Sequence, residues 1–164
     1  MYKGRDVSRR WVLAESHDPP CCTGNQARLL PNYIHHAWMA LPHDAGLALS
    51  MYGPLAVSAT LAGGVRVNVQ VETAYPFEEE VLLRIKLPGL AARPSSAAAT
   101  AVFELHLRIP TWCSTPSLRV CGVAVLVAPN ARGYHVIERH WRDGDLVELT
   151  LPMQPMLTSG VRAA

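Results

Sequence analysis

The stretch Val65-Arg66-Val67-Asn68-Val69-Gln70-Val71-Glu72 decides the fold. Its four valines fall on one side of an extended chain and Arg66, Asn68, Gln70 and Glu72 on the other, because successive side chains of a strand point to opposite faces. The same alternation recurs downstream. Leu83, Ile85 and Leu87 interleave with Arg84 and Lys86, and Phe103, Leu105, Leu107 and Ile109 interleave with Glu104, His106 and Arg108. A period of two with one polar face predicts antiparallel strands packed on one side. Gly63-Gly64, Pro88-Gly89, Asn130 through Gly133 and Asp143-Gly144-Asp145 are turn signals between these runs. About eight short strands at such spacing predict a mainly β domain, an antiparallel β-sandwich over residues 46–164. Within it, the small and polar stretch from Ala91 to Thr100 predicts a mobile loop.

Upstream of residue 46 the texture changes, so residues 1–45 read as a loop followed by a helix. Asp18-Pro19-Pro20 imposes an extended entry to Cys21, since each proline biases its predecessor away from the α region. Gly24-Asn25 offers a turn and an N-cap. Ala27, Leu30, Ile34 and Ala37 or Trp38 then follow at intervals of three and four, the spacing of one helical face. Pro31 falls inside that run, where it must kink the helix or start its second half. The apolar face of this helix has little else in the chain to pack against.

Composition narrows the class of function. Of the 164 residues, 49% are apolar and 17% charged, as in an ordinary globular protein. No run of about 18 apolar residues predicts a membrane-spanning helix. The charged N-terminus lacks a following apolar stretch and does not read as a signal peptide. The net charge is +2 and the arginines form no basic stripe, which argues against nucleic acid as a partner.

The chemistry-bearing feature is Cys21-Cys22. Only the thiolate is a nucleophile and a metal ligand, and two neighbouring thiolates repel unless a cation lies between them. Zinc is the usual cation for sulfur, yet two sulfurs leave a four-coordinate site half filled. The competing reading is that two small side chains simply fill space, since free cysteine is commonly buried. A vicinal pair of reduced thiols points to a reducing compartment, and hence to a cytoplasmic protein. Further ligands could come from Glu15, His17, Asp18, His35, His36 or His43. His35 and His36 are separated by about 100° on a helix and cannot both face one ion. Cys113 and Cys121 are expected to pack within the sandwich. Glu78-Glu79-Glu80 reads as a solvated strand end rather than as the paired carboxylates of a glycosidase. No Ser-His-Asp elbow, phosphate loop or dinucleotide fingerprint is present.

Six short segments, taken in order, resemble a known family. Arg9-Arg10-Trp11 leads to Cys21-Cys22-Thr23-Gly24-Asn25-Gln26-Ala27-Arg28, which is similar to the CC-x-x-N-x-x-R segment of the glycoside hydrolases of family 127, the β-L-arabinofuranosidases. Gly46 to Tyr52, Glu72-Thr73-Ala74-Tyr75-Pro76-Phe77, Leu107-Arg108-Ile109-Pro110-Thr111-Trp112-Cys113, and the run from Gly133-Tyr134 through Arg139, Trp141 and Gly144-Asp145 to Leu151-Pro152-Met153 also match that family's order of elements. The resemblance implies an (α/α)6 barrel carrying the active site, with β-sandwich domains after it. Residues 1–45 would then be the C-terminal remnant of the barrel and residues 46–164 a sandwich domain. It also implies that Cys21 is the nucleophile and a zinc ligand, and Cys22 a second zinc ligand. The reaction implied is retaining hydrolysis of an arabinofuranosyl-containing carbohydrate through a thioglycosyl intermediate.

The family draws its acid/base glutamate, another zinc-ligating glutamate and a third cysteine from helices upstream of the cysteine pair. With about 20 residues before Cys21, this chain alone is expected to be inactive. Cys121-Gly122 stands where the family usually has Asn-Gly, a change that leaves the turn intact. Two other readings compete: a β-sandwich carbohydrate-binding or interaction module without catalysis, for which Trp112 and Trp141 would be the stacking platforms, and a redox or metal-buffering role for the cysteine pair.

Overall fold

A computed structural model describes residues 21–89 and 100–155. The expected loop ahead of Cys21, with Glu15, His17 and Asp18, and the expected mobile loop from Ala91 to Thr100, apart from Thr100 itself, lie outside the described residues. The chain divides into two units, residues 1–32 and 33–164.

Helix α1 spans Cys21–Ala37 with Pro31 inside it. It starts earlier than the expected cap at Gly24-Asn25, which lies within its first two turns. Its end is set by hydrogen bonding. The Ala37 carbonyl, one of the acceptors that a helix leaves open at its C-terminus, receives the Ser50 N–H at 2.8 Å. From Trp38 the chain is extended, so Trp38 opens a strand rather than closing the helical face.

Among the described residues ten strands follow: β1 (Trp38–Ala40), β2 (Gly46–Leu49), β3 (Ala56–Leu61), β4 (Val65–Thr73), β5 (Glu80–Lys86), β6 (Ala101–Arg108), β7 (Ser117–Val120), β8 (Val123–Val125), β9 (Tyr134–Trp141) and β10 (Leu146–Thr150). They form a four-stranded sheet of order β1-β2-β6-β9 and a six-stranded sheet of order β3-β4-β5-β10-β7-β8. Every pairing is antiparallel except β2 with β6, which is parallel and sets Gly46 opposite Glu104 and Leu49 opposite Leu107. The mainly β sandwich is as the alternation requires; the parallel pair and the short strand β1 are additions to the expected pattern.

The core lies between the inner faces of the two sheets. Val67, Val69, Val71, Val81, Leu83, Ile85, Val147 and Leu149 come from the larger sheet, and Leu47, Leu49, Phe103, Leu105, Leu107 and Trp141 from the smaller. These are the alternate positions of each strand, and the residues between them in β4 are exposed. Several connections rest on positive φ angles. In the β7–β8 hairpin Cys121 and Gly122 have φ of 51° and 78°, the mirror-image turn that fits the twist of a two-residue hairpin. Before β10, Gly144 has φ of 88°, and Asp143 Oδ1 accepts the Leu87 N–H at 2.7 Å.

Candidate functional site

Cys21 and Cys22 occupy the first two positions of α1. Their side chains lie outside the described ones, so their placement here is that of the backbone. A helix start is a favourable place for a thiolate, because the unpaired N–H groups and the helix dipole favour negative charge there. No acidic residue shares this first turn. Two soft sulfur donors in succession fit zinc in kind, though they fill only two of its four positions. Among the described residues, no three His, Cys, Asp or Glu side chains gather as a metal set.

The other sequence candidates are dispersed. His35 and His36 sit exposed in the last turn of α1 with their rings edge to face, centroids 5.0 Å apart. His43 has φ of 58° in the turn before β2 and is exposed. Cys113 is buried after β6, as sandwich packing requires, and burial pushes its thiol above the ordinary value. Cys121 departs from that expectation: it lies exposed at the hairpin tip, with Arg139 Nη1 at 3.6 Å from its sulfur. In the run at 78–80, the Glu79 carboxylate and the Glu80 backbone carbonyl tie down a strand end. Glu79 Oε1 accepts the Met153 N–H at 2.8 Å, and the Glu80 carbonyl accepts the Thr73 hydroxyl.

At the end of the sandwich where β6 finishes, four tyrosines tie segments together. The Tyr33 hydroxyl donates to the Tyr52 carbonyl at 2.6 Å, and the Tyr52 hydroxyl donates in turn to the Arg108 carbonyl. The Tyr134 and Ser50 hydroxyls are 2.8 Å apart, and the Tyr75 ring meets Tyr52 edge to face at 5.7 Å. Of the two tryptophans considered for stacking on sugars, Trp141 is fully buried whereas Trp112 is 40% exposed. Phe77, in the turn after the cis Tyr75–Pro76 bond, is 92% exposed. No described helix is long and apolar enough to cross a membrane.

Comparison with solved structures places this architecture. A GH127 β-L-arabinofuranosidase from Geobacillus stearothermophilus T6 matches with a TM-score of 0.70 and 28% identity, over 82% of this chain and 19% of that one. A protein described as a glycoside hydrolase matches with a TM-score of 0.69 and 26% identity, over 92% of this chain and 24% of that one. A GH127 β-arabinofuranosidase at 22% identity and a TM-score of 0.66 shares the fold, over 82% of this chain and 22% of that one. The chain therefore spans about a fifth to a quarter of the length of these proteins. A search of curated proteins gives no match. The family model for the β-L-arabinofuranosidase GH127 middle domain matches residues 46–153, the sandwich from β2 to the residues after β10, and the chain accordingly belongs to the GH127 family.

Proposed function

We propose that this chain is the cysteine-bearing helix and middle domain of a retaining glycoside hydrolase that releases β-linked L-arabinofuranosyl units, with Cys21 as nucleophile and Cys21 and Cys22 as zinc ligands. The observation that carries the reading is the order of elements: a Cys-Cys pair opens the helix that leads into a GH127 middle domain. Zinc, when bound, keeps both sulfurs deprotonated at neutral pH and aims them. The Cys21 sulfur attacks the anomeric carbon as the glycosidic C–O bond breaks, and a carboxylic acid protonates the departing oxygen. Water then attacks the same carbon, gives its proton to the carboxylate and returns Cys21 as thiolate. Two inversions at carbon leave the configuration retained.

The acid/base carboxylate and the remaining zinc ligands belong, in this reading, to a helical barrel outside this chain. The 164-residue chain alone is therefore inactive. Hydrolysis of an aryl β-L-arabinofuranoside by this chain, lost on Cys21→Ser, would overturn that claim. Alkylation of Cys21 and Cys22 with and without zinc tests the ligand roles in a longer polypeptide carrying the barrel: protection of both sulfurs supports shared ligation, and equal rates oppose it.

A second reading, a sandwich that binds carbohydrate without catalysis, draws on the exposed rings of Trp112 and Phe77. Such rings stack on the apolar faces of sugars. A Trp112 fluorescence change on titrating arabino-oligosaccharides into this chain, abolished by Phe77→Ala, would favour it.

A further inference from the structure

On the outward face of the six-stranded sheet, some charges are paired and others are not. Arg84 Nε meets Glu72 Oε1 at 2.7 Å, and Lys86 Nζ lies 3.9 Å from Asp143 Oδ2. Further across the sheet, β5, β10 and β7 set Glu80, Thr150 and Ser117 in one row and Leu82, Glu148 and Arg119 in the next. Glu148 and Arg119 are thus cross-strand neighbours of opposite sign, close enough for their long side chains to meet. They do not. Among the described residues, Glu80, Arg119 and Glu148 form no ion pair.

These two rows line a groove of about 360 Å³, within the usual range of small-ligand sites. Val81 and Leu149 also line it but bury their side chains in the core, so they present main chain as its floor. Ser117 and Thr150 are short, whereas Glu80, Glu148 and Arg119 are long enough to stand as walls. Glu80, Ser117, Arg119 and Glu148 are exposed, and Leu82 and Thr150 half-buried, so all are open to a ligand from solvent.

The chemistry of the groove is mixed. Arg119 only donates, the two carboxylates only accept, and the Ser117 and Thr150 hydroxyls do both. A cationic ligand would be opposed by Arg119, and an anionic one by Glu80 and Glu148. A ligand made of neutral hydroxyls suits every member, because each hydroxyl can donate to a carboxylate or accept from the guanidinium. The planar carboxylate and guanidinium can each engage two neighbouring hydroxyls at once. No Arg119–Glu148 ion pair has to be broken to admit it.

We infer that the groove across β5, β10 and β7 binds a neutral sugar chain through its hydroxyl groups, with Glu148 and Arg119 as the central contacts. This inference goes beyond the hydrolase reading. It uses neither the cysteine pair nor Trp112 and Phe77, so each reading can fail without the other.

The test titrates the 164-residue chain with arabinotetraose and then with cellotetraose, following backbone amide shifts by nitrogen-15 NMR. Glycine serves as the zwitterionic control. At least one sugar should shift the Ser117, Arg119, Glu148 and Thr150 amides saturably, and glycine should not. Arg119→Gln and Glu148→Gln remove charge at exposed positions, and thermal melts check that the fold is intact. At least one of them should weaken sugar binding about tenfold or more, as expected for a lost hydrogen bond to a charged group. Phe77→Ala should leave these shifts unchanged. No saturable shift with either sugar, an equal response to glycine, shifts confined to the Trp112 and Phe77 end, or an affinity unchanged in both charge variants would overturn the inference.

Discussion

The Trp141 indole N–H donates to the Phe103 carbonyl at 3.0 Å, and the two rings stack with centroids 5.4 Å apart. The bond is fully buried and joins the neighbouring strands β6 and β9 through a side chain as well as through the ladder. Trp141→Phe should keep much of the packing but leave that carbonyl unpaired on one side, lowering stability by about 1–3 kcal/mol. Trp141→Ala should lower it by about 3–5 kcal/mol through the cavity it opens. Urea unfolding followed by far-UV circular dichroism measures both. An unchanged midpoint for Trp141→Ala would contradict the core described here.

Gly46 is fixed by close approach rather than by its φ angle. A Cβ there would fall onto the Glu104 carbonyl, the backbone that β2 faces across the parallel pair. Gly46→Ala should therefore force β2 away from β6 and destabilise the domain by about 1–3 kcal/mol. The same substitution at Gly63, where nothing lies within contact but φ is 73°, should act only through backbone strain. Comparing the two melting temperatures separates steric from conformational effects.

Cys121 adopts φ of 51° in the β7–β8 turn, a region that asparagine tolerates better than cysteine. Cys121→Asn should stabilise the chain by about 0.5–1 kcal/mol, since Asn-Gly is the preferred pair for this turn. Loss of the Arg139 contact with sulfur offsets only a little of this, as thiols are weak acceptors. A lower melting temperature would argue that the contact matters more than the turn.

Alkaline pH should unfold the domain through two neighbouring buried acids. Burial, and then the like charge of Tyr75, raises Tyr52 above its ordinary value of 10.0. Burial raises the Cys113 thiol above its ordinary 9.0; a backbone hydrogen bond at Thr115 opposes this and the Glu79 carboxylate adds to it. The folded state thus keeps protons that the unfolded state has already lost. Stability is full below about pH 9 and declines as pH rises beyond 9 to 10. Tyr52→Phe should lower stability by about 1 kcal/mol at neutral pH, by removing the bond to the Arg108 carbonyl, and flatten the decline above pH 10. Urea midpoints from pH 7 to 11 decide this.

The strands were legible because burial on one face imposes a period of two. Val67, Val69 and Val71 are buried and Arg66, Asn68, Gln70 and Glu72 exposed, as the alternation demands. Partnership was not legible. Nothing in Gly46-Leu47-Ala48-Leu49 says that it pairs with Leu105-His106-Leu107 in parallel, because a hydrophobic pattern fixes the face of a strand and not its neighbour. β1 was missed because three residues are too few to show a period. For Cys21 and Cys22 the sequence supplied the chemistry and α1 supplies the position at a helix start; their ligation rests on the family resemblance.

The parallel alignment of β2 with β6 also governs how the chain reaches its final state. Gly46 finds Glu104 only after β3, β4 and β5 have been threaded between them, so the smaller sheet closes late, on a long loop. Local hairpins such as β4–β5 and β7–β8 can form early and cheaply, whereas the four-stranded sheet waits on a non-local encounter. Refolding should accordingly be slow for a domain of this size, in milliseconds to seconds, and aggregation should compete with it most strongly while β6 still lacks its neighbours.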